Sequence, residues 1–268
     1  MLMRAAMLSA LLVVLPGLAT AQSAADIISE AEAAHQAMAE DVRSFTVEVG
    51  GETNRYERQE QDGHYVYRLS ESNGMATAQD MPVMGFLDAS YLEGLKEAAV
   101  YAGTETIDGV ATHALRIDDP EQLAAYPGME DQDFQSLRSM RLYLRTDNLM
   151  PARLMFEAVM PEQENQGPFQ VGPGPITFVM DFRDYREVDG LVYPFVTEVS
   201  NDMVEQMSPE QRQMMEQMQA RMEQQMAQMS PEQRQMMEER MGSRFEEMQA
   251  MMRGEPVQRT VTSLTVND

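Results

Sequence analysis

His35, His64 and His113 are the only imidazoles in 268 residues, and the chain has no cysteine. Their separations match no metal-ligand spacing, and no thiolate is available for catalysis, iron–sulfur clusters or cysteine zinc sites. Two acidic groups stand out, Asp181/Asp184/Glu187 and Asp118/Asp119/Glu121. Neighbouring residues of a strand point to opposite faces, so neither spacing assembles a carboxylate pair. The G-x-S-x-G, H-E-x-x-H, phosphate-loop and dinucleotide fingerprints are all absent. These residues predict a protein that is not an enzyme, with no cofactor, no metal and no catalytic residue.

Thioethers are the remaining candidates for chemistry. Fourteen of the 27 methionines fall between Met203 and Met252. Met215, Met218, Met222, Met226 and Met229 form one stripe; Met237, Met241, Phe245, Met248 and Met252 form another. Steps of three and four are those of amphipathic helices. Such stripes suit plain packing, an adaptable apolar binding surface, or soft thioether ligation of Cu(I). All three remain open on spacing alone. The segment is also a repeat of period 22: Met207-Ser208-Pro209-Glu210-Gln211-Arg212-Gln213-Met214-Met215-Glu216 returns as Met229 to Glu238. Serine at the N-cap, proline at the first helical position and glutamine three residues on make each copy a helix start. Two helices of roughly 20 residues, joined at Met229-Ser230-Pro231, are expected.

The elements before this arm follow a different period. Ser23 with Asp26 opens a helix to about Val42, its apolar face being Ile27, Ala31, Ala34, Met38 and Val42. From Ser44 the alternation is strand-like: Phe45, Val47 and Val49, then Thr53 to Glu60, then Tyr65, Tyr67 and Leu69. Asp-Gly at 62–63, 108–109 and 189–190 marks tight hairpins, because both central residues of that turn take positive φ. Further strands are expected at Gly109 to Ile117, Met140 to Thr146, Ala152 to Met160, Ile176 to Val188, Leu191 to Ser200 and Val257 to Val266. Ser90 to Val100 and Pro120 to Leu137 read as helix or loop, and Gly167 to Pro175 as loop. Consecutive hairpins build one antiparallel sheet with a greasy side.

Forty-four acids against 20 bases give a net charge of −24, which excludes phosphate-backbone recognition, so no nucleic acid is expected as a partner. Met1 to Ala21 has the form of an export signal: Arg4, an apolar run too short to span a bilayer, and Ala19-Thr20-Ala21 before the cut. Cleavage after Ala21 leaves a chain with no integral membrane segment, expected to be periplasmic and soluble. The expected division is 1–21 signal peptide, 22–202 sheet domain with an N-terminal helix, 203–253 helical hairpin insertion and 254–268 final strand. The insertion holds nine glutamates and six arginines, so the acid excess belongs to the sheet.

Tyr101-Ala102-Gly103-Thr104-Glu105-Thr106-Ile107-Asp108-Gly109-Val110, Met140-Arg141-Leu142-Tyr143-Leu144 and Asp184-Tyr185-Arg186-Glu187-Val188-Asp189-Gly190-Leu191-Val192-Tyr193-Pro194 together resemble the LolA-like family of outer-membrane lipoprotein-sorting and lipid-carrier proteins. The resemblance runs from about Ser23 to Ser200 plus the last strand. It implies an α+β fold: a single strongly curved antiparallel sheet, an incomplete barrel, covered by helices. It also implies an apolar cavity for acyl chains of lipids or lipoproteins, with other envelope proteins as further partners. Candidate ligand-binding residues are Phe45, Val47, Tyr65, Tyr67, Leu142, Leu144, Phe156, Phe178, Phe182, Tyr193 and Phe195. The methionine-rich repeat resembles, over a short stretch, the periplasmic stress chaperones related to Spy and CpxP. The alternative function is therefore an envelope-stress chaperone or a Cu(I)-binding protein acting through the arm.

Overall fold

The computed structural model describes residues 22–61, 63–73, 89–119, 137–159, 175–228, 230, 247, 249–251 and 253–268. Helix α1 (Ala24–Asp41) starts as a capping box, Ser23 Oγ accepting from the Asp26 amide while the Asp26 carboxylate accepts from Ser23. Its buried face is Ala24, Ile27, Ile28, Ala31, His35 and Ala39. That stripe is rotated from the expected one: Ala34 is exposed, Met38 half-buried, and His35 is a packing residue. A helix lying in a curved sheet touches protein on a wider arc than period alone reveals.

Strands β1 (Ser44–Val49), β2 (Glu52–Gln61) and β3 (His64–Ser72) form a meander. Then come α2 (Ala89–Ala98), β4 (Val100–Ile107), β5 (Val110–Ile117), β6 (Leu137–Arg145), β7 (Pro151–Val159), β8 (Pro175–Val188) and β9 (Leu191–Asn201). Two helices follow, α3 (Met203–Gln206) and α4 (Pro209–Gln228), before β10 (Val257–Val266). All ten strands join one antiparallel sheet in the order β3-β2-β1-β10-β9-β8-β7-β6-β5-β4, with β3 and β4 as its two edges. The last strand thus sits between β1 and β9, and the sheet remains open. This is the incomplete, helix-covered barrel expected.

Asp108-Gly109 and Asp189-Gly190 take positive φ at both positions, the geometry that two-residue hairpins require. Antiparallel alternation puts these turns and the turn at 146–149 at one end of the sheet. At the opposite end the chain leaves the sheet after β3, β5, β7 and β9. The segments 74–88, 120–136 and 160–174 lie outside the described residues, as does most of the loop expected at Gly167 to Pro175.

Register fixes the inner face. Tyr101, Leu115, Leu142, Leu154, Met180, Val199 and Val257 are successive cross-strand partners over seven strands, β4 to β10. All but Tyr101 are buried, and α1 and α2 fill this face with Ile27, Ile28, Leu92 and Leu95. Glu32 of α1 holds Lys96 of α2 at 2.5 Å and faces His64 of β3 at 3.5 Å. Gln36 bonds the backbone of Tyr65 in both directions, at 3.1 and 2.8 Å, which satisfies the free edge of β3 as a strand would.

The methionine arm starts as its sequence predicts: Ser208 Oγ accepts from the Gln211 amide and the Ser208 amide donates to Gln211 Oε1. Met207 and Met215 are buried and Met214 is exposed. The side chains of Met222, Met226 and Met229, the whole second stripe, and the second helix except residues 247 and 249–251 lie outside the described residues.

Candidate functional site: the inner face of the sheet

The inner face is apolar because each strand alternates, and its aromatics gather at one side. Phe45 is fully buried, stacked on Tyr56 at 5.0 Å, edge-on to Tyr67 at 5.2 Å and tilted against Tyr193 at 6.0 Å. Tyr67 donates its hydroxyl to the Val42 carbonyl at 2.9 Å, and burial pushes the phenol up to about 12, against a smaller downward pull from Arg58. Val47, Leu142, Leu144 and Phe182 complete this core, and Tyr65 and Phe156 pack against it half-buried. The helices occupy the inner face here, so these side chains serve the core first.

Two candidates stand apart. Phe195 is buried outside that core, with the Arg186 guanidinium 4.2 Å over its ring. Phe178 is the more informative. Its row runs Ile117, Met140, Phe156, Phe178, Asn201 across β5 to β9. Along β8 its inner-face neighbours Ile176 and Met180 are 0% and 9% exposed, whereas Phe178 is 37% exposed. A large aromatic left open between two closed positions of one strand marks a stretch of this face that the described residues leave uncovered. Beside it Phe156 is half-buried, and the arm begins immediately: Thr177 N donates to Asp202 Oδ1 at 2.7 Å, and Met203 N to Asn201 Oδ1 at 3.1 Å. Sequence reasoning placed Phe178 among eleven equals; its exposure depends on which stretch of the sheet the helices cover.

On the outer face, Asp181 is buried and held by Arg153 at 2.5 and 3.0 Å. Arg183 links Asp181, Asp108 and Glu198 at 3.3 to 3.5 Å. The Arg145 guanidinium beside Asp147 holds that carboxyl below its usual value. Asp184 pairs with Arg186, and Asp118 with Arg116. Asp118, Asp181 and Asp184, three of the six carboxylates in the two acidic groups, are therefore committed to arginines. Among the described residues no three His, Cys, Asp or Glu side chains are grouped to hold a metal ion, and no helix is long and apolar enough to cross a membrane. His113 lies near Tyr101, 3.4 Å from its hydroxyl. Glu121 is outside the described residues.

No family model and no curated protein matches this chain. Among solved structures it is similar to a putative outer-membrane lipoprotein-sorting protein domain from Vibrio parahaemolyticus, with 8% identity and a TM-score of 0.41 over 91% of this chain and 92% of that one. It is also similar to a DUF1329 family protein from Desulfovibrio piger (10% identity, TM-score 0.32, 64% and 85% covered). A third is a LolA superfamily protein from Nitrosomonas europaea (11% identity, TM-score 0.29, 63% and 84% covered). At TM-scores this low the likeness is one of strand layout, and function has to be read from the chain's own geometry.

Proposed function

We propose that this chain is a non-enzymatic carrier of acyl chains, belonging to lipids or lipoproteins, in the periplasm after export and cleavage behind Ala21. The observation that carries the reading is Phe178, open between buried Ile176 and Met180 on the apolar inner face of the sheet. An acyl chain laid there would cover Phe178 and Phe156. Each methylene removed from water contributes about 0.8 kcal/mol, so one chain of ordinary length suffices for stable but reversible binding. The candidates around Phe45 are the floor of the fold, and contact with ligand belongs to the Phe156–Phe178 end.

The test is native mass spectrometry of protein purified from an envelope fraction, followed by delipidation and displacement of a fluorescent fatty acid. Co-purifying lipid, or saturable displacement, is the expected result. A chain that is consistently empty and ignores added fatty acid sinks the reading.

A further inference from the structure

Among the described residues the inner face has two covers, and Phe178 stands at the gap between them. Over most of the sheet the cover is α1 and α2, whose apolar side chains join the main core. Ile176 and Val257 are closed as well, yet lie outside that core. Both adjoin the methionine arm: Ile176 precedes Thr177, which is bonded to Asp202, and Val257 begins β10 where the arm returns. There α3 packs on β8, and Met207 and Met215 are buried. Asn201, the cross-strand partner of Phe178, is also where the arm departs, since its Oδ1 accepts from Met203 N. The returning chain ends its helix in a Schellman turn: Glu255 N donates to the Ala250 carbonyl at 2.9 Å and Gly254 N to that of Met251 at 3.0 Å.

One contact of the arm differs in kind from the apolar face it rests on. Arg259 lies two residues along β10 from Val257 and shares its face, in the row Arg259, Thr197, Phe182. Its guanidinium donates to Glu247 Oε2 from Nε at 3.2 Å and from Nη2 at 2.6 Å, and the two side chains are only 12% and 14% exposed. An apolar contact there would hold the arm down one-sidedly, because lifting it would wet apolar surface. An enclosed ion pair acts differently: its attraction is largely offset by the water that both charges give up, and that water returns when the pair separates. The pair therefore sets where the arm seats while adding little to the free energy that keeps it seated.

We propose that α3, α4 and the chain around Glu247 form a movable cover, that the Arg259–Glu247 pair is its latch, and that its lifting widens the open stretch at Phe178 for an acyl chain. Two joints let it move. Met207 is extended, at φ −72° and ψ 142°, between α3 and α4, and Gly254 has a φ of +70° that glycine takes without strain. What enters rests on the acyl-chain reading; the latch does not.

The latch is tested on the full chain by distance measurement between two spin labels. The chain has no cysteine, so Gln213→Cys on α4 and Glu187→Cys on β8, both exposed positions, supply the only thiols. Arg259→Glu encloses two like charges that only opening relieves, and should add a second, longer distance. Association of a fluorescent fatty acid with this variant should be roughly tenfold faster, as a minor open population rises by that factor. The swap Glu247→Arg/Arg259→Glu should restore both the single distance and the slow association, which a merely misfolded variant would not do. Glu247→Gln, a milder change, should move both readouts the same way, and Arg212→Gln on the exposed side of α4 should move neither. An unchanged distance in Arg259→Glu and Glu247→Gln, a swap that fails to restore it, or a longer distance without faster association overturns the proposal. A distance shift that the swap reverses, in a wild type that binds no fatty acid, supports the latch and sinks the acyl-chain reading instead.

Discussion

Gly254 stands directly against Val204: a Cβ on Gly254 would meet Val204 Cβ at 3.1 Å and Cγ2 at 3.2 Å. Its φ of +70° is one that L side chains rarely adopt. The chain therefore returns from the methionine arm to within contact of the point where it left, and Arg259 of β10 ties Glu247 back to the sheet at 2.6 Å. Gly254→Ala should destabilise this junction by about 2 kcal/mol, combining left-handed backbone cost with the clash. Val204→Ala in the same chain removes the Cγ2 contact but keeps the 3.1 Å approach of Cβ, so it should relieve the clash only in part and leave the backbone cost. Thermal melts and limited proteolysis at the arm provide the readout.

Because β9 and β10 pair directly, with Val257 opposite Val199, the arm is an excursion from a hairpin connection. Replacing 204–254 with a short glycine turn should leave a cooperative melt and fatty-acid displacement intact. If binding disappears while the sheet still melts cooperatively, function belongs to the arm, as the chaperone or Cu(I) alternatives require. Circular dichroism and the displacement assay on one preparation distinguish these outcomes.

Phe178 and Phe182 are four residues apart on β8 and share the inner face, yet only Phe178 is open. Phe178→Asp should leave the melting temperature nearly unchanged and weaken acyl-chain binding at least tenfold. Phe182→Ala should cost about 3–5 kcal/mol, since it empties a closed position. Equal destabilisation by both would mean that Phe178 is core.

The phenol of Tyr67 is raised to about 12 by burial, and that of Tyr185 is raised well above 10.0 for the same reason. A folded value above the unfolded one means that the native state holds the proton more tightly. Stability from these groups is fully present below pH 10 and is lost as pH rises towards the folded values. Tyr67→Phe forfeits the hydrogen bond to Val42, about 1 kcal/mol, at neutral pH. It should also flatten the alkaline fall in stability. Melts across this range, with tyrosinate absorbance as a second signal, check both points.

The periods of the sequence determined most of the local structure. Capping boxes at Ser23 and Ser208, Asp-Gly hairpins at 108–109 and 189–190, and alternation in β8 and β9 are properties of neighbouring residues, and they appear as the residue types dictate. The turn at Asp108-Gly109 even required β4, whose own residues alternate too weakly to announce it. Pairing of β10 between β1 and β9 could not be read, because the partners are more than 200 residues apart for β1 and their choice depends on sheet curvature. The inner face of the sheet was legible as a set of apolar residues, since alternation names them. Which of them form the floor under α1 and α2, and which single aromatic is left open, was decided by tertiary structure. Coverage depends on where two helices of finite length lie across ten strands, and no local period encodes that position.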